Sequence, residues 1–279
     1  MSRRASSTIR RVAWWSLAVV GLAAGALGAQ EPEATVGPQW QLDELDRSFC
    51  VAFLIEPARA AKRLPKAFRP VPASRFGPIH PALRSLIEGE PLYQAWIPST
   101  LCVYGAASIV ANGRRFGSQP DRREMIGMWA IAGTPEDAEA DSLWVVGEFV
   151  TANDRIKRAA EGSLLRMRVI DEEVGQDSES REDLHWLKIG KTRVTWVGHL
   201  SGDSSGVGEP RPELWWLKGN RGTSWRARVS WQPRWRQPMV GGLRVEGKDD
   251  LAKALKESPI RMLGPAFWGG RAILAFERL

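Results

Sequence analysis

Residues 225–231 read W-R-A-R-V-S-W, and no other part of the chain alternates apolar and polar side chains so regularly. Two Trp, an Ala and a Val would lie on one face, with the arginines and the serine on the other. Such alternation is typical of a β-strand with one buried and one solvated face. The stretch therefore predicts an antiparallel strand, and most of the chain's 14 tryptophans are expected on the inner faces of such strands.

Apolar runs and weaker alternation predict further strands in the rest of the chain. They fall at residues 49–55, 93–97, 101–110, 125–132, 163–170, 191–200 and 271–279. No regular exchange of strands with helices supports a parallel doubly wound sheet. The predicted fold class is α+β, an antiparallel-rich curved sheet or cone-like β-barrel with a few helices.

Three short helices are predicted from their start and stop signals. One begins at Pro57 and is stopped by Pro65. A second covers residues 249–256. The third begins at the T-P-E-D sequence of residues 134–137, which supplies an N-cap, a proline and first-turn acids, and it continues over residues 143–150.

The N-terminus predicts a cleavable secretory signal peptide over residues 1–29. Four arginines precede the apolar residues 12–22, and small residues follow up to Ala29. An uncleaved anchor is the alternative, since the apolar stretch is at the short limit for crossing a bilayer. The predicted organisation is the signal peptide, a lead-in over residues 30–48, and one domain over residues 49–279.

Charge and compartment follow from this reading. The formal net charge of +7 includes the four leader arginines, so the mature chain keeps 35 basic residues against its 32 acidic ones. A small and interspersed excess excludes a nucleic-acid binder. The mature protein is expected in the periplasm or outside the cell, without a membrane association.

Cys50 and Cys102 are the only two cysteines of the chain. An exported protein meets conditions that permit disulfides. The pair could be bridged, or it could be two buried thiols on neighbouring strands, and the sequence leaves both open.

Familiar catalytic motifs are absent from the sequence. It contains no G-x-S-x-G elbow, no G-x-G-x-x-G and no P-loop. His80, His185 and His199 lack metal-ligand spacing to each other or to cysteine. Neither a metal nor a cofactor is therefore expected.

One basic cluster, N-D-R-I-K-R at residues 153–158, could carry chemistry. A lysine beside another cation has a lowered pKa and can attack a carbonyl group. The alternative is a solvated basic turn at a helix end.

The order of these segments resembles the acetoacetate decarboxylase family. The likeness lies in the apolar strand 49–53 with the following helix 57–65, in the long strand 223–232, and in the ending 258–264 with the aromatic run 266–268. It spans most of the predicted domain. It implies the family's antiparallel-rich, cone-like fold.

The resemblance also implies a chemistry, the decarboxylation of a β-keto acid through a lysine imine. Lys157 is the counterpart of the imine-forming lysine, Arg158 of its neighbouring cation, and Glu148 belongs to the V-V-G-E match. Arg47 lies near the position of the substrate arginine. The family's Pro-Lys-Lys step is not kept, and ungapped matching places Arg155 at the imine position, where arginine cannot form an imine.

Two functions are consistent with these residues. The first is an exported acetoacetate decarboxylase-like protein that binds a small carbonyl or carboxylate ligand in a central cavity, with or without imine chemistry as a carbon-carbon lyase. The second is a non-catalytic periplasmic binding or structural protein on the same fold, with a Trp-lined hydrophobic pocket. Both predict a small-molecule partner, and homo-oligomerisation is left open.

Overall fold

A computed structural model describes residues 37–79, 81–117, 123–136, 142–176, 182–207 and 212–279. The predicted signal peptide lies outside these residues, as does His80. The strands are β1 Gln39–Ile55, β2 Phe68–Pro70, β3 Ile97–Ala111, β4 Arg114–Phe116, β5 Glu124–Pro135, β6 Leu143–Thr151, β7 Arg168–Val169, β8 Asp171–Gln176, β9 Asp183–Ile189, β10 Thr192–Leu200, β11 Ser205–Gly206, β12 Glu213–Lys218, β13 Ser224–Gln237, β14 Met239–Glu246, β15 Arg261–Leu263 and β16 Ala266–Arg278. The α-helices are α1 Pro57–Arg63, α2 Pro81–Gly89, α3 Asp154–Gly162 and α4 Asp250–Glu257.

Seven of the strands close into a barrel. The hydrogen-bonded order is β1–β16–β13–β12–β6–β5–β3, and β3 pairs with β1 again. All these ladders are antiparallel except β12–β6, which is parallel. Closure leaves none of the seven strands with an unpaired edge along the ring. The predicted α+β class with an antiparallel-rich, barrel-like sheet is confirmed.

The inner face of the barrel is the main apolar core. Residues opposite each other in a ladder share a face, so the registers identify the inward side chains. At most 1% of the surface of these side chains is exposed in Trp40, Leu42, Ile126, Met128, Trp215 and Leu274. The alternating stretch of residues 225–231 lies in β13, where Ala227 and Val229 are buried as predicted.

A second, four-stranded sheet has the order β14–β10–β9–β8. Its strands β9 and β10 form a hairpin through Gly190, whose φ of 62° favours glycine. Leu187, Ile189, Val194 and Trp196 are buried and belong to the same apolar cluster as the barrel core. This sheet therefore packs on the barrel and does not form a separate core.

The helix predicted from residues 134–137 and 143–150 is wrong. β5 continues to Pro135, and Leu143–Thr151 is strand β6, paired with β5 on one side and with β12 on the other. Six of its nine residues are large apolar groups, which suit burial on both faces of a sheet. Strand pairing thus overrides the helix-start signal at residues 134–137. Two strand predictions also fail in part, because residues 93–96 precede β3 in a turn and residues 163–170 hold only the short β7.

Two of the predicted helices are confirmed. Helix α1 starts at Pro57 and ends before Leu64 and Pro65. Helix α4 is capped by Asp249, whose side chain accepts a hydrogen bond from the backbone N–H of Ala252 at 3.1 Å.

Asp249 also joins this helix to the β9–β10 hairpin. Its carboxylate accepts hydrogen bonds from the backbone N–H of Lys191 at 3.0 Å and from the hydroxyl of Thr192. Burial alone would raise the pKa of Asp249. These hydrogen bonds, the cap and the charge of Arg63 outweigh burial and lower the pKa.

Cys50 and Cys102 form a disulfide. They lie directly opposite each other in the β1–β3 ladder, with their Cα atoms 4.0 Å apart. Of the two alternatives that the sequence left open, the bridge is the one found. Among the described residues, no helix has the length and apolar character needed to cross a bilayer.

Candidate functional site

A cavity of about 360 Å³ lies where the end of α1 meets β5, β6 and β12. Its apolar lining includes Trp129 of β5 and Trp216 of β12, together with Leu64, Ile131 and Val145. The volume falls in the range of small-molecule sites. The cavity is therefore large enough to take a ligand with a short apolar body.

Both indole rings of this cavity are held by neighbours. The Nε1–H of Trp129 donates to the hydroxyl of Ser99 at 3.0 Å, and the ring of Phe68 packs against Trp216 with 4.8 Å between centroids. The two tryptophans are only 6% and 9% exposed. The apolar part of the cavity is thus preformed.

The charged lining of the cavity is mostly cationic. Four cations, which are Arg63, Arg166, Arg168 and Lys218, face a single carboxylate, Glu148. Arg168 Nη1 donates to both carboxylate oxygens of Glu148 at 3.0 Å, so these two charges offset each other. The cavity is therefore suited to an anion.

Arg63 has partners of its own at the wall. Its guanidinium lies 5.8 Å from the ring centroid of Trp129 and pairs with Asp250. Arg166 and Lys218 are exposed, and neither forms an ion pair among the residues that the structure describes. These two side chains are the ones available to an incoming carboxylate.

The sequence-predicted site residues are not brought together. Glu148 lines the cavity, but Lys157 and Arg158 lie on α3 and do not line it. Lys157 Nζ is 3.2 Å from the carboxylate of Glu161, one helical turn away, and Arg158 is exposed. Arg47 lies in β1, and its side chain is outside the described ones.

No lysine of the chain is buried. All nine lie in described residues, eight are exposed, and the side chain of Lys157 keeps 34% of its surface accessible. An imine-forming lysine needs desolvation or a neighbouring cation to be neutral near pH 7. The neighbour that Lys157 contacts is a carboxylate and not a second cation.

The barrel interior holds an acidic side chain that the sequence did not single out. Glu213 begins β12 and is half-buried, and Trp215 Nε1–H donates to its carboxylate at 3.0 Å, with Trp231 donating as well. Burial raises the pKa of Glu213, and the two indole hydrogen bonds offset only part of this effect.

Tyr104 completes this interior cluster. Its ring stacks on Trp231 with 4.2 Å between centroids, and its hydroxyl lies 3.9 Å from Cys50 Sγ. Burial, followed by the charge of Glu213, raises the pKa of Tyr104 well above its usual value. Both groups are thus held in their neutral, hydrogen-donating forms more than they would be in water.

The cavity residues escaped the sequence analysis because they come from separate segments. The one available signal was the E-L-W-W-L-K stretch of β12, in which two adjacent tryptophans stand between aliphatic residues, with an acid and a lysine at the ends. It indicates a strand with polar groups at both ends, but not which residues oppose it. Among the described residues, no group of three or more His, Cys, Asp or Glu side chains could hold a metal ion.

Comparisons with known proteins bear on the fold. No protein-family model matches the sequence, and no curated protein matches it. The structure of the enduracididine biosynthesis enzyme MppR with HEPES bound is similar, with a TM-score of 0.50 and 10% identity over 89% of this chain and 90% of that one. An acetoacetate decarboxylase structure from Legionella pneumophila has a TM-score of 0.49 and 8% identity, with 88% of each chain covered.

The fold of the chain is therefore acetoacetate decarboxylase-like, as the resemblance predicted, and the chain is a divergent example of it. Identities this low show the fold alone. Function has to be argued from the sites of this chain.

Proposed function

We propose that the protein is an exported binding protein that holds a small carboxylate with an apolar body in the Trp-lined cavity between α1, β5, β6 and β12, without turnover. Of the two functions predicted from the sequence, this is the non-catalytic one with its Trp-lined pocket, and the carboxylate ligand is taken from the other.

The proposal rests on one observation: the cavity has an apolar lining and more cations than carboxylates at its wall. A ligand would place its hydrocarbon part against Trp129 and Trp216 and its carboxylate beside Arg166 and Lys218. Charge-assisted hydrogen bonds to a carboxylate are about twice as strong as neutral ones. The apolar surface adds about 25 cal/mol for each Å² removed from water.

The position of Glu148 supports binding over catalysis. Both of its oxygens accept hydrogen bonds from Arg168 Nη1, and this charge-assisted contact holds the arginine in the cavity wall. Glu148 is therefore given a positioning role. Lys157 is paired with Glu161 outside this cavity. The one lysine in the cavity lining is Lys218, which is exposed.

Export is part of the proposal and has independent support. Disulfides persist in the periplasm and outside the cell and are rare in the cytosol. The Cys50–Cys102 bridge agrees with the signal peptide predicted over residues 1–29.

The binding test uses three six-carbon compounds that differ in their head group: hexanoate, hexylamine and hexanol. Isothermal titration of the mature protein should give binding of hexanoate, weaker binding of hexanol, and none of hexylamine. The Arg166→Gln/Lys218→Gln variant should weaken hexanoate at least tenfold and leave hexanol unchanged, because only the charged contact is lost.

A matched control removes two charges elsewhere. Lys188 and Lys253 are exposed and do not line the cavity, so Lys188→Gln/Lys253→Gln should bind hexanoate as the unmodified protein does. Equal losses in both variants would indicate a general charge effect. Hexylamine binding as well as hexanoate would refute the proposed ligand class.

A further inference from the structure

An open groove with a volume of about 510 Å³ lies where β1, β13 and β16 meet. Strand β1 contributes Glu44, β13 contributes Trp235 and Gln237, and β16 contributes Trp268. We call it the tryptophan groove. It shares no lining residue with the first cavity, the one of the proposed function. The two are therefore separate sites.

Two irregular backbone segments border this groove. The β1–β16 ladder shifts register between Asp43 and Ser48. Within that stretch, Glu44 has a φ of 49°, in the left-handed region that residues with a side chain seldom adopt, and Gly269 of β16 has a φ of 67°. Bulges and strained residues recur beside binding sites, where they redirect side chains. The groove is thus lined by the least regular backbone of the two strands.

The apolar surface of the groove is a pair of indole rings. Trp235 is the only exposed tryptophan among those that the structure describes, with 41% of its surface accessible. Its ring lies 5.9 Å from that of Trp268 between centroids, and the two planes are 30° apart. Trp268 is half-buried and supports its neighbour. Trp235 therefore presents a broad apolar face to whatever enters the groove.

The charged lining of the groove is balanced. Arg123 Nε donates to the carboxylate of Asp46 at 2.8 Å, so these two charges offset each other. Glu44 and Arg234 are exposed, and neither forms an ion pair within the described part of the chain. With two carboxylates and two guanidinium groups, the groove gives no net advantage to an anion or to a cation.

The groove also offers both acceptors and donors of hydrogen bonds. Gln237 Nε2 donates to the backbone oxygen of Gly202 at 2.9 Å, which leaves the amide oxygen of Gln237 as an acceptor. The carboxylate of Glu44 accepts, and the guanidinium of Arg234 donates. A ligand hydroxyl, which both donates and accepts, can pair with any of these groups.

We propose that the tryptophan groove binds a neutral saccharide. The C–H face of a pyranose ring packs on the indole of Trp235. The hydroxyl groups at the rim of the sugar form hydrogen bonds with Glu44, Arg234 and Gln237. An anionic membrane surface, another partner of exposed aromatic and basic residues, would need an excess of cations, which this lining lacks.

Three neutral trisaccharides serve as probes for the mature protein: cellotriose, maltotriose and triacetylchitotriose. Saturation-transfer NMR should show binding of at least one of them. Titration calorimetry with that trisaccharide should give the same affinity at low and at high salt, because an uncharged ligand forms no ion pair that salt could screen.

Trp235→Ala removes the stacking surface and should weaken the binding about tenfold, in line with the loss of one aromatic contact. Trp235→Phe keeps a ring and should restore most of the affinity. The control is Trp186→Ala, since Trp186 is half-buried on the four-stranded sheet, under the guanidinium of Arg193, and does not line the groove. It should leave the affinity unchanged.

The measurement in the unmodified protein decides the matter even if a variant fails to fold. Absence of binding by all three trisaccharides would overturn the assignment, and sedimentation with anionic vesicles in their place would make the groove a membrane contact. An affinity that falls with salt, or that Trp235→Ala and Trp186→Ala lower equally, would also contradict it. Failure of hexanoate alone to bind would refute the first cavity's function and leave this result intact.

Discussion

Removal of the disulfide should lower the free energy of unfolding by an amount that can be worked out from the structure. The double variant Cys50→Ala/Cys102→Ala breaks the cross-link between β1 and β3 while leaving the two strands in register. Those strands pair along almost their whole length, so the folded barrel should keep its shape. The change therefore acts mainly on the unfolded chain.

The magnitude follows from the length of the loop. The two cysteines are 52 positions apart. In the chain-entropy model, closing a loop of this length stabilises the folded state by about 4 kcal/mol. For a domain of this size, each kcal/mol shifts Tm by about 2–4 °C, so the variant should melt about 8–16 °C lower.

Urea unfolding followed by tryptophan fluorescence measures the effect. The midpoint should fall and the m-value should rise, because the unfolded chain without the cross-link exposes more surface. The reduced, unmodified protein is the control. It keeps both sulfurs in the core, so any difference between it and the variant reports lost packing around Cys102, which is 3% exposed.

Two results would refute this reasoning. One is the same midpoint for the oxidised protein and the double variant. The other is the labelling of two free thiols in unreduced, unfolded protein, which would show that the bridge is not formed in solution.

Four further predictions concern single groups. Glu213→Gln should raise the free energy of unfolding at pH 7, and the difference should vanish near pH 4. Because the pKa of Glu213 is raised in the folded protein, its protonated carboxyl stabilises the fold at low pH, and this stabilisation is lost as the carboxyl ionises at higher pH. Urea titrations at both pH values test this, and a pH-independent difference would contradict it. Asp249→Ala should lower the free energy of unfolding by about 1–2 kcal/mol at neutral pH and by less in acid. The pKa of Asp249 is lowered, so its carboxylate stabilises the fold only while it is ionised. Asp249→Asn should keep most of the stabilisation, because the amide oxygen can still cap the helix. Borohydride with a panel of β-keto acids should leave Lys157 unlabelled; a label there that is lost in Lys157→Arg would restore the lyase hypothesis. Mass measurement of the exported protein should place its start between Ala29 and Glu31, and an intact Met1 on membrane-bound material would oppose this.

Local patterns predicted those elements whose own residues decide their conformation. Alternation predicted β10 and β13, and the helix predicted over residues 249–256 differs from α4 by one residue at each end. The segment of strand β6 was predicted to be a helix because of the start signal before it. Pairing with the neighbouring strands determines its secondary structure instead. Its partners β5 and β12 lie on either side of it, and β12 is some 60 residues further along the chain.

The sites were harder to predict than the fold. Of the predicted site residues, Glu148 lines the first cavity, whereas Lys157 is held by Glu161 on the outside of α3. The walls of the first cavity and of the tryptophan groove combine residues far apart in sequence, such as Leu64 with Trp216 and Glu44 with Trp268. No short-range sequence pattern predicts that these residues lie close together, because the closure of the barrel brings them into contact.

That closure depends on the last strand, β16, which lies between β1 and β13. Every partial chain that ends before Ala266 lacks the strand that closes the ring between β1 and β13. Such a chain has two open strand edges, those of β1 and β13, so the barrel cannot close until β16 has been made. A polypeptide that stays open until its final residues are available can still be threaded through a narrow translocation pore. If the chain is exported as proposed, the placement of this strand would keep the barrel open until synthesis of the chain ends.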